Sequence, residues 1–379
     1  MTSKNKLKVL GEGSYGCVIS KPLPCDKAAK VTMITDKKKD NRKHVAKLFY
    51  EKYKYDNEVR FGKITKKIDP REEKILSPIS GCPVDKKIFK QPDNINALSK
   101  CELFTDAVNT TDYYIEQFNF EQLKNKKIWQ LTMPYGGLDI EKTLIRYKNP
   151  ISVKSFVKMI TPLFESIILL KKNKIVHQDI KIDNVLVHKR KALLIDFSLM
   201  LPFSGIYTER NYKRLKRKYR PNPPEYYIVS LVMKNNYDNS DNHKINEISN
   251  INKNGMIMET KNYLMQHYIN HLEKIQHYFH PYYTMNELIS LSNYDQLITN
   301  ALKDNKMFND YIDRVDIYAI GTTIAELDQY IAKPHNNQDY VSLMRGILHP
   351  DPRYRMTPED AVSLCNKISS AKNKPLINI

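Results

Sequence analysis

The sequence predicts an α+β chain with a β-rich first third carrying one main helix, and a mainly helical remainder with a long insertion. Three observations carry this expectation. Residues 7–50 alternate short apolar runs (LKVL, CVIS, HVAKLF) with turn-rich, lysine-rich stretches, the pattern of a strand meander. From Val153 to Lys172 the residues Phe156, Met159, Ile160, Leu163, Ile167 and Leu170 recur at helical spacing. Near the C-terminus, IYAIGTTIAEL (317–327) is apolar enough to be a helix buried all round.

The other elements follow in order. A short helix is expected around Tyr50–Lys67, with Tyr53, Val59, Phe61 and Ile64 as its apolar positions. Residues 68–128 are charged and show no clear period. IWQLTMPY (128–135) has the look of a buried strand, broken by Gly136 and Gly137. VLV (185–187) and ALLI (192–195) flank the basic turn His188–Lys191, a hairpin signal. Residues 229–310 contain the low-complexity stretch NNYDNSDNHKINEISNINKNG. Helical periodicity returns over 257–302 through Leu264, Tyr268, Leu272 and Ile275. No internal repeats occur.

Composition narrows the class of protein. Basic residues exceed acidic ones by 61 − 42 = 19, yet 41% of positions are apolar, so a folded, basic protein is expected rather than a disordered polycation. The five cysteines (Cys17, Cys25, Cys82, Cys101, Cys365) are odd in number and form no C-x-x-C pair. They argue against a secreted disulfide scaffold or a zinc ribbon, and for a reducing compartment. The start, MTSKNKLKVLGEGS, holds no apolar core of signal-peptide length, and no apolar run is long enough to span a bilayer. The expectation is a cytoplasmic protein without a membrane span.

Glycine is scarce, 11 in 379 residues, yet Gly11, Gly13 and Gly16 fall together in G-E-G-S-Y-G-C-V. A G-x-G-x-x-G alone is weak, because dinucleotide-binding loops share it. There the loop runs into a helix, whereas here Cys17-Val18-Ile19 continues as a strand. Glycines in a strand–turn–strand let backbone N–H groups lie over a triphosphate, with Val18 against a base. A flexible hairpin is the plainer alternative. Val45-Ala46-Lys47 puts a lysine in a neighbouring strand, and Glu58 is the carboxylate that would hold its ammonium. His177-Gln178-Asp179-Ile180-Lys181-Ile182-Asp183-Asn184 follows H-x-D-x-K-x-x-N. Four residue types at roughly 5% each make a chance match about two in a thousand. Asp179 can take or orient a hydroxyl proton, Lys181 can balance charge on a moving phosphoryl group, and Asn184 offers an oxygen to Mg²⁺. Asp196, in Asp196-Phe197-Ser198, is placed to chelate metal.

In this order these residues resemble the eukaryotic-type protein kinases. Pro223-Pro224-Glu225 resembles the motif closing that family's activation segment, Asp316-Ile317-Tyr318-Ala319-Ile320-Gly321 its buried supporting helix, and Arg355 the arginine that pairs with the closing glutamate. The resemblance implies a bilobal kinase fold, with an N-lobe over 1–134 enlarged by 68–128 and a C-lobe over 135–379 carrying the 229–310 insertion. It implies transfer of the γ-phosphoryl of ATP, with Mg²⁺, to Ser/Thr hydroxyls of protein substrates. In that template Lys47 and Glu58 position the α/β-phosphates and the Gly11–Gly16 loop covers them. Asp196 and Asn184 hold metal, Asp179 aligns the nucleophile, Lys181 stabilises charge and His177 braces the loop. Nucleotide contacts are expected from Gly11, Glu12, Gly13, Ser14, Tyr15, Gly16, Val18, Ala46, Lys47, Met133 and Leu186, with Leu131 as gatekeeper beside the Met133–Gly137 hinge.

More narrowly, the M-P-Y-G-G hinge, the P-P-E motif and the Lys/Asn-rich insertion resemble kinases of giant double-stranded DNA viruses. A protist with an AT-rich genome would show the same bias. Gln178 stands where the family carries arginine, which implies activity without a phosphorylated activation loop. Ser198 replaces a glycine, and Lys218 falls where a threonine is usual. A partner-binding pseudokinase and a small-molecule or lipid kinase are the alternatives. Intact Lys47, Asp179, Asn184 and Asp196 weigh against the first, and Pro223–Glu225 with Arg355 against the second.

Two weaker patterns remain. Asn211–Arg220 has six basic residues in ten, with Tyr212 and Tyr219 interleaved. A solvated loop fits it best, then a preference for acidic substrates, then nucleic acid. His267, His271, His277 and His280 fit an amphipathic helix better than a metal site, because Tyr268 stands where H-E-x-x-H needs glutamate.

Overall fold

The computed structural model describes residues 6–13, 16–34, 43–101, 105–110, 113–118, 127–205, 222–226, 269–270, 272–292, 296 and 311–371. The chain divides into two compact units, Met1–Gly137 with Ile195–Ser198, and Leu138–Leu194 with Leu199–Ile379. Both helices and strands are present, as an α+β chain requires.

The first unit is organised around a sheet of β1 (Val9–Gly13), β2 (Gly16–Ile19), β3 (Thr32–Met33), β4 (His44–Phe49), β5 (Ser80–Pro83) and β8 (Trp129–Pro134). Its strand order is β1-β2-β4-β8-β5-β3, with every pair antiparallel. The strands β6 (Thr105–Thr110) and β7 (Tyr113–Phe118) form a separate hairpin. Strand side chains alternate between faces, and β4 is covered on both, which is why its sequence is almost continuously apolar. On one face Cys17, Ile19, Ala46 and Leu48 pack with Val84, Ile88, Phe89 and Leu98. On the other, Phe49 and Leu131 meet Tyr55 and Val59 of α1 (Lys52–Ile68).

Only two residues separate β4 from α1, so the helix folds straight back onto the sheet. Its buried stripe runs through Tyr55, Glu58, Phe61, Gly62 and Thr65. Tyr53, expected on that stripe, is 62% exposed. The helix is rotated so that the charged Glu58 faces inward, which an apolar-only count could not anticipate. Gly62 permits this seating, since a Cβ there would stand 2.9 Å from Pro78 Cδ.

Residues 84–101, part of the stretch with no legible period, form a short 3-10 turn (Lys86–Lys90) and α2 (Pro92–Leu98) covering the sheet's other face. Here the cysteine expectation needs correction. Cys17 is bonded to Cys101 and Cys25 to Cys82, with Cα–Cα separations of 6.2 and 5.8 Å, and Cys365 is buried and free. The partners lie 84 and 57 residues apart in sequence, so local spacing could not reveal them. The ground for expecting a reducing compartment is thereby removed. Cys17 faces away from Lys47, whose neighbour Val18 lies on the opposite face of β2. Buried Gln130 of β8 adds a further tie, accepting from Leu23 N–H at 2.9 Å and donating to the Leu23 carbonyl.

The second unit contains β9 (Leu138–Asp139), α3 (Ile140–Ile145), β10 (Ile151–Ser152), α4 (Val153–Lys172), β11 (Ile175–Val176), β12 (Val185–His188), β13 (Lys191–Leu194) and β14 (Leu201–Pro202). Further on come α5 (Met285–Ser292), α6 (Val315–Leu327), β15 (Ile331–Ala332), α7 (Gln338–Ile347) and α8 (Pro358–Ser370). Ser152 caps α4 by accepting from Ser155 N–H, which starts the helix where its apolar period begins. The β12–β13 hairpin turns through Lys189 and Arg190, both with positive φ (49° and 64°), the conformation that suits a two-residue hairpin loop. Of the 13 residues of α6, eleven are buried, from Val315 to Leu327. Residues 272–279 are helical, while Leu264, Tyr268 and the stretch 235–255 lie outside the described residues. No helix among the described residues is long and apolar enough to cross a membrane.

Peptide mapping without reductant is expected to recover Cys25 linked to Cys82 and Cys17 linked to Cys101. Replacing Cys25 and Cys82 together by serine should lower unfolding free energy by about 2–4 kcal/mol. Recovery of all five cysteines as free thiols would overturn the pairing.

Candidate active site

Lys47 stands in the middle of β4, opposite Val18 of β2 and Leu131 of β8. Its Nζ lies 2.5 Å from Glu58 Oε1 and 3.0 Å from Asp196 Oδ2. All three groups belong to the first unit, because Ile195–Ser198 clusters there although β13 before it does not. Asp196 has φ 62°, a left-handed conformation that aspartate tolerates better than most residues. Its Oδ1 accepts from Ser198 N–H at 3.3 Å.

Two carboxylates share one ammonium, so the cluster carries one excess negative charge when all three are ionised. Burial alone opposes the charge on Lys47, but Asp196 and then Glu58 outweigh it and hold the ammonium well above its usual range. Burial also opposes ionisation of Asp196, yet Lys47 brings that carboxyl down to about 2. Glu58 moves the other way. Burial pushes it up to about 7, with Lys47 only partly compensating. Asp196 is thus the firmly anionic member, the state a metal ligand needs.

The glycines of the β1–β2 turn differ from one another. A Cβ on Gly16 would collide with the Leu48 carbonyl oxygen, so glycine there is required by the approach of β2 to β4. A Cβ on Gly11 would meet nothing within 4 Å. Gly13 pairs with Gly16 and Glu12 with Cys17, whereas Ser14 and Tyr15 lie outside the described residues.

Ala46 departs from expectation. Being one residue from Lys47 it occupies the opposite face of β4, fully buried with Ile19 and Leu48 in the core, where it cannot contact a ligand held by Lys47. Val45, two residues from Lys47 and paired with Met133, shares its face. The period of two in a strand was the signal that sequence reasoning passed over.

In the second unit a separate group forms around the loop after β11. Asp316, in the first turn of α6, accepts from His177 N–H at 2.7 Å and Gln178 N–H at 3.0 Å. Burial raises its carboxyl to about 6, and these two backbone bonds pull the other way. Buried His177 accepts from Asp179 N–H through Nδ1 at 3.2 Å. Asn184, in the 3-10 turn Ile182–Asn184, donates to the Asp179 carbonyl at 2.8 Å and to Asp179 Oδ2 at 2.9 Å. Lys181 Nζ lies 3.7 Å from Asp179 Oδ1. Asp179 is therefore aimed by Asn184 and faced by a cation. Leu186 sits in β12, opposite Leu193 and Asp139.

Glu225 and Arg355 form a buried bidentate pair at 2.6 and 2.9 Å, the fork-to-fork geometry that suits guanidinium and carboxylate. Arg355 also donates to the His349 carbonyl and lies over the Tyr318 ring.

Residues 119–241 match the family model for protein tyrosine and serine/threonine kinases. The match supports a protein kinase. It spans Asp179, Lys181, Asn184, Asp196 and Glu225, while Lys47, Glu58, Asp316 and Arg355 lie outside it. No curated protein matches the chain.

Within the first unit, the anionic Asp196 carboxylate is a hard oxygen ligand of the kind Mg²⁺ prefers, and an ammonium fixed by carboxylates suits a phosphate; within the second, Asn184 carries an amide oxygen of the same hard class. Asn211–Arg220, His267 and His271 lie outside the described residues.

Two outcomes are expected. Glu58 binds its proton more tightly in the folded than the unfolded chain, so its contribution to stability is full below about pH 4.5 and is lost as pH rises through about 7. Asp316 contributes a like dependence from 3.8 to about 6 in wild type and variant alike, so Glu58→Gln should flatten the pH dependence of unfolding between about 4.5 and 7, most strongly near the middle of that window. Parallel wild-type and variant curves would refute this. Arg355→Met strands Glu225 in the interior and should cost about 3–5 kcal/mol in denaturant unfolding. Adding Glu225→Gln should recover much of that loss.

Proposed function

We propose that the protein is an ATP- and Mg²⁺-dependent protein kinase that phosphorylates serine and threonine hydroxyls. The observation that carries this is Lys47 joined to both Glu58 and Asp196, a contact bridging 149 residues of sequence that holds a phosphate-binding ammonium beside a firmly anionic carboxylate. The resemblance assigns Lys47 to the α/β-phosphates, the Gly11–Gly16 turn to their cover, and Asp196 and Asn184 to the metal. When bound, Mg²⁺ neutralises charge on the β- and γ-phosphate oxygens.

Asp179 receives the proton of the attacking hydroxyl while the substrate oxygen bonds to the γ-phosphorus and the bond to the ADP oxygen breaks. Asn184 orients the Asp179 carboxylate, and Lys181 offsets charge on the transferring group. Positioning and electrostatics supply most of the acceleration. Lys181 favours serine and threonine over tyrosine, because tyrosine kinases usually carry arginine at or near this place. Were the six basic residues of Asn211–Arg220 to meet a substrate rather than solvent alone, their charge would favour acidic protein segments. The likeness to kinases of giant DNA viruses rests on motifs alone.

Incubation with labelled ATP, Mg²⁺ and cell extract should label proteins on serine and threonine, with Asp196→Ala inactive. Asp179→Asn should lower kcat by about a hundred- to ten-thousandfold with little change in KM for ATP. A thermal shift with Mg-ATP but no transfer would replace catalysis by a binding role. Label confined to small molecules or lipids would overturn the protein-substrate assignment.

A further inference from the structure

Gln178 is held from two directions within the second unit. Its φ of 63° places it at the apex of a tight turn closed by the Asp179 N–H bond to His177 Nδ1. Its backbone N–H donates to Asp316 Oδ1 of α6 at 3.0 Å. Its side chain leaves the loop in another direction, and Nε2 donates to Tyr226 Oη at 3.2 Å. Both partners are buried, Gln178 at 8% and Tyr226 at 1% exposure.

Tyr226 is itself well anchored. It closes the Pro223–Tyr226 turn through a bond from its N–H to the Pro223 carbonyl, and it follows Glu225, which is clamped by Arg355. The residue beside Asp179 is thus tied to a segment whose position is set by a buried ion pair. An amide and a phenol are both neutral, and burial holds Tyr226 far above the ordinary tyrosine range, so no accessible pH switches the bond. A neutral bond at this depth is also insensitive to salt and needs no added charge to form.

We propose that Gln178 and Tyr226 are positioning residues, whose buried side-chain bond sets the Asp179 loop against the Pro223–Tyr226 turn without a phosphorylated residue. The role rests on the kinase activity proposed above. It goes beyond that activity by naming a phosphate-independent device that holds the catalytic loop ready.

The test uses full-length protein treated with phosphatase and verified by intact mass. Tyr226→Phe keeps the packed ring and removes only the hydroxyl, and Gln178→Met keeps the length and removes the amide. Each should lower kcat by about tenfold with KM for ATP unchanged, the scale of one hydrogen bond. The double variant should be no worse than either single one, because both remove the same interaction. Amides of residues 178–184 should exchange hydrogen faster in Tyr226→Phe, while those of α4 remain as in wild type. Wild-type kcat in the single variants, strictly additive losses, or unchanged exchange in the loop would each overturn the proposal. Activity that disappears when wild type is dephosphorylated would do so too. If wild-type protein transferred no phosphate in any state, the proposed function would fail, and the exchange measurement would still decide whether the bond holds the loop.

Discussion

One buried ammonium held between a buried and a half-buried carboxylate is the constraint on which the first unit turns. Burying Lys47 alone would be prohibitive, and either carboxylate alone would leave its geometry loose. With Glu58 on α1 and Asp196 on a strand-end segment, the cation is met from two elements distant in sequence. This dictates more than local electrostatics. The rotation of α1, the two-residue β4–α1 connection, and the attachment of Ile195–Ser198 to the first unit are all conditions for those contacts. The shared ammonium also separates the two acids, Asp196 anionic at any moderate pH and Glu58 titrating near neutrality.

The second unit solves a similar problem by another route. Side chains order its loop: Asp316 receives two consecutive N–H groups, His177 receives a third, and Asn184 holds the Asp179 carboxylate. Asp316 can do this because α6 is buried along nearly all its length. Gly321 permits that packing, since a Cβ there would press on Leu348 and Ile347. The apolar run read in the sequence is therefore the platform on which one buried carboxylate is aimed at the loop.

How far the sequence was legible depended on whether chemistry or three-dimensional packing decided each feature. The 153–172 helix, the 185–194 hairpin and the 128–135 strand follow from periodicity and turn residues, and the structure places them at nearly those bounds. The Lys47–Glu58 pair was legible because a strand lysine beside the glycine turn needs a carboxylate to hold its ammonium, and Glu58 stood eleven residues on as the candidate. Where tertiary packing decided the outcome, the residues alone were insufficient. Tyr53 and Tyr55 are alike as helix residues, and only the inward turn of Glu58 chooses between them. The V-A-K motif points to Ala46, but the alternation of a strand puts it on the face of β4 away from Lys47. The cysteine pairs join residues brought together by the cover of the sheet, which no local spacing encodes. Gln178 read as a substitution and gave no hint of Tyr226, 48 residues away.

The two outer glycines of the G-E-G-S-Y-G motif meet different steric demands although they share one signature. Gly16 is demanded by the sheet itself, because β4 leaves no volume beside it, whether or not a ligand ever binds. Gly11 meets no such demand from its neighbours. In descendants of this chain that abandoned phosphate binding, drift should erase position 11 first and leave position 16 intact. A motif preserved only at its last glycine would then mark a surviving architecture rather than a surviving activity.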